Sequence, residues 1–356
     1  MQPQRKFRIF LNKIGWSLII WLIASYLFGF IRVWGIETLP VFERVVPMDL
    51  PLLVFQLFVM GIAVGIPFGI MDYLLDTNWI RIRSYWKIIS IKALVQISLA
   101  IFSLYVLVVV SNQVRELQLE ISQFVFSETA ILWVIYSVIV SFLIYFLQVV
   151  KSKIGERVLL NLLVGKYHNP RIETRIFMFL DMKDSTTHGE NLGHIKFSAL
   201  IQDSLNDLTK AIIEHKVEVY QYVGDEAILT WGLKEGFQNA NCLQVYNTFQ
   251  ATLKARKEYY ENKYGFVPFF KAGVHLGEVT VSEVGIIKRE IAYHSDVLNT
   301  AARIQGKCND FEAELLVSEQ LKESLGNQKF FNFEHIGGIS LKGKQKPVNI
   351  YKAIQA

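Results

Sequence analysis

Cysteine is nearly absent from this chain. Cys242 and Cys308 are the two among 356 residues, and they lack metal-ligand spacing. A disulfide framework and a thiolate metal cluster are therefore excluded, and both are expected to be reduced thiols. Proline is scarce, at eight, and charge is scarce over the first 150 residues. The net charge of +5 is modest. The basic residues are spread around the ends of apolar runs and through the C-terminal half, which disfavours a nucleic-acid partner. What the chain has in excess is apolar side chains, 52% of the total, and most of that excess lies before residue 150. The length allows two domains, and the asymmetry divides them into an apolar half and a water-soluble half.

Four apolar stretches, at about 14–36, 50–74, 89–111 and 129–150, each approach the ~20 residues that a spanning helix needs. No small-residue cleavage site follows the first, so it reads as an anchor rather than a signal peptide. Arg5, Lys6, Arg8 and Lys13 precede the first stretch. Arg81, Arg83 and Lys87 follow the second, and Lys151, Lys153 and Arg157 follow the fourth. The other two connections carry Glu37, Glu43, Asp49, Glu116, Glu120 and Glu128. The positive-inside rule then predicts a multi-pass protein of the cell membrane, in contact with lipid, with both termini cytoplasmic. Trp16, Trp21, Trp34, Trp79, Trp86 and Trp133 fall in or near the spans, several where an interfacial belt is expected. Arg32 and Lys92 lie near span ends and are expected to snorkel. The spans show no binding chemistry, and anchoring and dimerisation are their simplest role. Residues 151–170 form a linker with a helical stripe of Val158, Leu159, Leu162 and Leu163, ended by Asn169-Pro170. That stripe suits a helix pair in a dimer or packing on its own domain.

Beyond the linker, strands and helices alternate. The pattern predicts a strand near 174–181, a helix near 187–215, a hairpin over 217–231 and a helix over 237–263. A second hairpin is expected from Lys271–Gly277 and Glu278–Ser282. A helix at 296–308, a strand at 314–317, a helix at 318–325 and strands near 331–336 and 348–353 complete it. This is an α+β domain with a mainly antiparallel sheet.

Chemistry concentrates between Ile176 and Trp231. The apolar run Ile176–Leu180 ends in Asp181-Met182-Lys183-Asp184-Ser185-Thr186, and two alternating runs flank Gly224-Asp225 as in a tight hairpin. Each strand end thus offers an aspartate. Two readings stand at this point. Asp181 caps a helix and Asp225 shapes a turn, or the two hold a pair of Mg²⁺ or Mn²⁺ ions about 3.5–4 Å apart for displacement at phosphorus.

Phe179-Leu180-Asp181-Met182-Lys183-Asp184-Ser185-Thr186, Val223-Gly224-Asp225-Glu226 and Glu290-Ile-Ala-Tyr-His-Ser-Asp-Val-Leu-Asn-Thr-Ala-Ala-Arg-Ile304 occur in this order. Together they resemble the class III nucleotidyl cyclase catalytic domain over roughly 171–355. The resemblance implies a ferredoxin-like core and a head-to-tail homodimer with its sites between the protomers. It also implies cyclisation of a nucleoside triphosphate, ATP first, to the 3′,5′-cyclic monophosphate with two divalent cations, Mg or Mn. Asp181 and Asp225, with the Met182 carbonyl, would hold the metals. Residues 182–186, including Ser185 and Thr186, would meet the phosphates at a helix start. The opposite protomer would supply Asn299 to orient the ribose and Arg303 to neutralise the α-phosphate. Lys342 matches a phosphate-binding lysine, with Lys344 and Lys346 beside it. The implied layout is an anchor at 1–150, a linker at 151–170 and a catalytic domain at 171–356.

Three positions depart from the family pattern. Adenylyl cyclases usually carry Lys and then Asp or Thr at the base-reading positions, and guanylyl cyclases carry Glu and Cys. Here they are Gln221 and Ala292. The Gln221 amide both donates and accepts, so it suits adenine or guanine. Ala292 leaves its task to a backbone group or to Tyr293. Asp184 stands where the family mostly has glycine. The rival readings are a cyclase for GTP or a pyrimidine triphosphate, and a catalytically silent receptor that binds nucleotide. His188, His194, His275 and His294 form no ligand pattern.

Overall fold

The computed structural model describes residues 3–37, 50–75, 85–115, 126–287, 289–326, 328–339 and 347–356. The chain divides into two compact units, Met1–Ser152 and Lys153–Ala356.

Among the described residues the first unit is helical: α1 (Pro3–Glu37), α2 (Leu50–Leu75), α3 (Tyr85–Arg115) and α4 (Glu128–Ile154). All four are long and apolar enough to cross a membrane, over Phe10–Arg32, Leu50–Leu74, Lys87–Gln113 and Glu128–Lys153. Small residues let α1 and α2 approach closely, beside a buried core that includes Trp21, Met60, Phe68, Leu104 and Trp133. Gly61, Gly65 and Gly69 of α2 lie against Leu22, Leu18 and Ile14 of α1. A Cβ at any of the three would sit 2.8–3.0 Å from a backbone Cα of α1. That spacing of four is the small-residue stripe by which helices approach closely in lipid. Polar side chains inside the bundle bond across it. Ser17 Oγ donates to the Gly65 carbonyl at 2.8 Å, Trp133 Nε1 to Ser103 Oγ at 2.9 Å and Tyr136 OH to the Ala24 carbonyl at 2.8 Å.

Two expectations are corrected here. Lys92 does not snorkel, because its ammonium lies 3.0 Å from Asp72 Oδ1 with its side chain 12% exposed. Lys13 approaches the same carboxylate at 3.5 Å, and Gln148 donates to it at 3.3 Å. A charge shielded from water is stabilised more by such a partner than by reaching for the interface. Trp21 and Trp133 are fully buried in the bundle rather than in an interfacial belt, whereas Trp16 is exposed. The side chains of Trp34, Trp79 and Trp86 lie outside the described residues.

In the second unit a short helix, α5 (Glu156–Leu163), precedes β1 (Arg171–Met182). Next come α6 (Ser185–Glu214), β2 (Glu218–Val223), β3 (Glu226–Gly232), α7 (Leu233–Phe237), α8 (Asn241–Ala255) and α9 (Lys257–Tyr264). The remainder is β4 (Phe270–Val284), β5 (Glu290–His294), α10 (Asp296–Gly306), β6 (Leu315–Ser318), α11 (Glu319–Leu325), β7 (Phe331–Ile339) and β8 (Val348–Gln355). The sheet runs β2-β3-β1-β4-β6-β8-β7, with β5 paired to β4. Within it, β1-α6-β2-β3-α8-β4 forms the ferredoxin-like core. The pairing is antiparallel except between β4 and β6.

Strand alternation splits β1 between two faces. Ile176, Met178, Leu180 and Met182 pack with Leu200, Leu208 and Phe249 of α6 and α8. Phe177 and Phe179 pack on the other face with Val297 and Ala301 of α10. Cys242 and Cys308 are free and buried, and burial pushes both thiols up to about 12.

The second hairpin expected over 271–282 is absent, because β4 is one strand of 15 residues that turns back only into β5. Gly277 is not a turn residue. A Cβ there would strike Val297 of α10, and one at Gly273 would strike the Gln305 backbone. Both glycines let the helix lie flat on the strand. The helix expected over 237–263 is several pieces, interrupted by left-handed φ at Asn239 and Ala240 and by a break at Arg256.

Candidate active site

Asp181 is the penultimate residue of β1, and by alternation it shares the face of Phe177 and Phe179. It is not a helix cap, since Asp184 occupies the residue before α6. Asp225 sits in a two-residue loop, with Val223 paired to Glu226 and Gly224 at a φ of 61°. The hairpin folds Asp225 back beside Asp181. Burial, then the Asp225 charge and a hydrogen bond to it, push the Asp181 carboxyl up to about 6. Gln305 Nε2 of α10 donates to Asp181 Oδ2 at 3.4 Å. The other carboxylate has an orphan: Asp225 Oδ2 is buried with no hydrogen-bond partner. Two close carboxylates with a buried, unsatisfied oxygen are costly unless a cation joins them. The donor set, all hard oxygen, fits Mg²⁺ or Mn²⁺. Among the described residues no group of three acidic, histidine or cysteine side chains forms a closed metal cage.

Two clefts flank the pair. One, of about 380 Å³, is lined by Asp181, Ser185, Thr186, Lys271 and Gln305. The other, of about 520 Å³, is lined by Asp225, Ser185, Thr186, Glu190 and His194. Ser185 and Thr186 at the start of α6 thus border both. Met182 buries its side chain in the core, which leaves its carbonyl as the group on offer. Asp184 adopts a left-handed φ of 57°, a conformation that glycine enters without strain. Its exposed carboxylate lies 3.9 Å from Lys183 Nζ.

The remaining residues do not join this cluster within one protomer. Asn299 and Arg303 lie on the exposed side of α10, opposite the buried Val297, Thr300, Ala301 and Ile304. Gln221 is exposed on β2, paired with Ile228. Ala292 is half-buried on β5, paired with Ser282. Tyr293 faces the other way and packs on Phe177, so its ring is not available to stand in for Ala292. Lys342 falls outside the described residues.

Three site residues were missed in the sequence. Glu226 is pushed up to about 7 by burial and by the charges of Asp181 and Asp225. Its position next to Asp225 was the available signal. Lys271 faces Asp181 across the β1–β4 ladder and bonds Asn309. Gln305 approaches from 124 residues away, and no local pattern marks it.

A ferredoxin-like sheet with two carboxylates converging at a hairpin, and an Asn–Arg helix turned outward, defines a nucleotidyl cyclase domain. The chain belongs to that family: residues 168–353 match the adenylate and guanylate cyclase catalytic domain. It is 29% identical over 210 residues to "Adenylate cyclase 2" of Rhizobium meliloti, covering 59% of this chain and 58% of that one. It is 22% identical over 184 residues to "Adenylate cyclase" of Anabaena cylindrica, covering 49% and 36%. The chain therefore spans about a third to three-fifths of the length of these relatives. A bacterial light-regulated adenylyl cyclase structure aligns with a TM-score of 0.52 at 17% identity, over 60% of this chain and 62% of that one. That likeness shows the fold.

Proposed function

We propose that this protein is a membrane-anchored adenylate cyclase that acts as a homodimer. Its three parts are an anchor through residue 150, a linker over 151–170 and a catalytic domain over 171–356. The four apolar helices lie in the cell membrane, with both termini and the catalytic domain cytoplasmic. The observation that carries the chemistry is the Asp181–Asp225 pair with its unpartnered buried oxygen. In the reaction the ribose 3′-oxygen bonds to the α-phosphorus. The bond from that phosphorus to the α–β bridging oxygen breaks, pyrophosphate leaves, and the hydroxyl proton passes to solvent. Asp181, Asp225 and the Met182 carbonyl would hold two divalent cations, Mg or Mn, which when bound supply Lewis acidity toward the hydroxyl and the phosphates.

The chain's own groups do the rest. Ser185, Thr186 and the first N–H groups of α6 receive phosphate oxygens at a positive helix end. Asn299 orients the ribose and Arg303 offsets charge growing on the α-phosphate, a task for a planar, always-charged donor. Both face outward on α10, and this supports a site completed by a second copy. Lys342 is assigned to the phosphates. Gln221 faces the base, and at Ala292 only the backbone is left to contact it. The two-sided Gln221 amide also supports a second reading, cyclisation of GTP.

Mixing tests the shared site. Asp225→Ala and Arg303→Ala each abolish turnover alone. Co-expressed, they form mixed dimers with one intact site of two, which restores about a quarter of parental activity. No recovery in mixed dimers shown to form would contradict the reading.

A further inference from the structure

A glutamine at the base-reading position cannot discriminate by identity. Flipped one way its amide donates to adenine N1 and accepts from the adenine amino group. Flipped the other way it accepts from guanine N1–H and donates to O6. What fixes the aim of Gln221 must therefore set base choice, and the scaffold beneath it is unusual.

In the β2–β3 ladder Val219 pairs with Leu229, but Gln221 pairs with Ile228. Tyr220 is the extra residue of a bulge, a device that re-aims the side chains after it. Val219 packs toward the helix-covered core. Simple alternation would send Gln221 that way too. The bulge turns it to the face of Ile228, which packs with Phe177 and Phe179. That is also the face of Asp181.

The bulge is contacted from across the sheet. β2 and β5 are separated by β3, β1 and β4, yet the Tyr220 and Tyr293 rings meet edge to face with centroids 4.9 Å apart. Tyr293 in turn meets Phe177 at 5.2 Å. The Arg175 guanidinium, buried, lies 5.3 Å from the Tyr293 ring. It donates from Nη2 to Glu218 Oε2 at 2.6 Å, from Nη1 to Glu173 Oε2 at 3.2 Å and from Nε to Thr230 Oγ1 at 3.1 Å. One side chain on β1 thereby ties β2, β3 and β5 together. An Arg fork in such a place has no equivalent among other side chains.

We propose that Arg175, acting through Tyr293 and Tyr220, is a positioning residue that sets nucleobase selection by holding the β2 bulge and so the aim of Gln221. The proposal rests on the assignment of Gln221 to the base. It requires no contact between Arg175 and the nucleotide.

The test is the ratio of kcat/KM for ATP to that for GTP, measured on the full-length protein in membrane vesicles with Mn²⁺. Tyr293→Phe keeps the ring and leaves the ratio within about threefold of the parent. Tyr293→Leu and Arg175→Lys move it at least about tenfold toward unity. Their kcat on the preferred base falls less than their discrimination, because the metal aspartates are untouched. Tyr220→Ala, which leaves the charge cluster of Arg175, Glu173 and Glu218 in place, gives the same shift if Arg175→Lys fails to fold. Equal losses on both bases with the ratio unchanged would mark the cluster as merely structural and overturn the proposal. A parent protein that yields no cyclic product from any triphosphate would instead remove the assignment on which it rests, and the proposal with it.

Discussion

Both units bury large apolar side chains, Trp21, Phe68, Leu104 and Trp133 among them in the first, but they differ in what else they hide and in what they leave outside. In the first, large apolar side chains such as Ile23, Phe30, Leu94, Ile139 and Phe142 face outward, while Ser17, Ser25, Gln96, Ser103, Ser111 and Ser137 are buried. In the second, Ile176–Leu180 of β1 are buried without a break, and the buried Arg175 lies between Glu173 and Glu218. The exposed apolar face of the first unit suits hydrocarbon, and the second pattern suits water. Helices in hydrocarbon gain nothing by hiding leucine, so they associate through small residues and hydrogen bonds. A sheet domain in water is held by apolar burial at about 25 cal/mol per Å². Among the described residues the close pair of carboxylates, Asp181 and Asp225, belongs to the second unit.

The largest effect expected is chemical and confined to the second unit. On the proposed role of Asp225, Asp225→Ala removes a metal ligand worth several kcal/mol of transition-state stabilisation, so cyclic nucleotide formation falls by about 10³-fold or more. Product quantified from vesicles normalised for folded protein checks this. The next effect separates the units by packing. Gly65→Leu drives a side chain into α1 and destabilises the helical unit by about 1–3 kcal/mol. Gly277→Val drives one into Val297 and destabilises the sheet unit by a similar amount. Each is read as a shift in one of two unfolding transitions, and a single merged shift would break the comparison.

A smaller effect is electrostatic. The raised Asp181 carboxyl favours its protonated form in the folded state. Its contribution to stability is therefore present below about pH 4 and is lost as pH rises through about 6. If Asp181 holds a divalent cation as proposed, the cation replaces the proton. The rise in melting temperature with Mn²⁺ is accordingly larger at about pH 7.5 than at about pH 5, by calorimetry on the same preparation. Equal shifts at both pH values would separate the cation from Asp181. The smallest effect has the opposite sign. Gln96 is fully buried in the first unit with neither amide atom bonded. Gln96→Leu stabilises that unit by about 1 kcal/mol in a detergent unfolding titration.

Much of this was legible in the sequence, for identifiable reasons. Four long apolar runs have no other common solution, and they became four long helices. Asp181 and Asp225 stood out because each ends a strand in a short motif, and a hairpin turn brings them together. The misreadings came where one residue type serves two purposes. Gly277 looked like a turn, yet its missing side chain makes room for α10. Lys92 looked like a snorkelling lysine because its partner, Asp72, is 20 residues away on another helix. The bulge at Tyr220 was invisible, since the ring it packs against, Tyr293, lies on β5, far away in sequence. Base identity stayed open at Gln221 because an amide presents both hydrogen-bond senses.

The most direct test of the account is pyrophosphate release by the full-length protein in membrane vesicles with Mn²⁺, offered ATP, GTP, CTP and UTP separately, with the organic product identified. The account predicts equal amounts of pyrophosphate and a 3′,5′-cyclic monophosphate, with ATP the best substrate, and neither product from Asp225→Ala. Nucleotide binding without pyrophosphate release from any of the four would contradict it and leave the second unit a receptor.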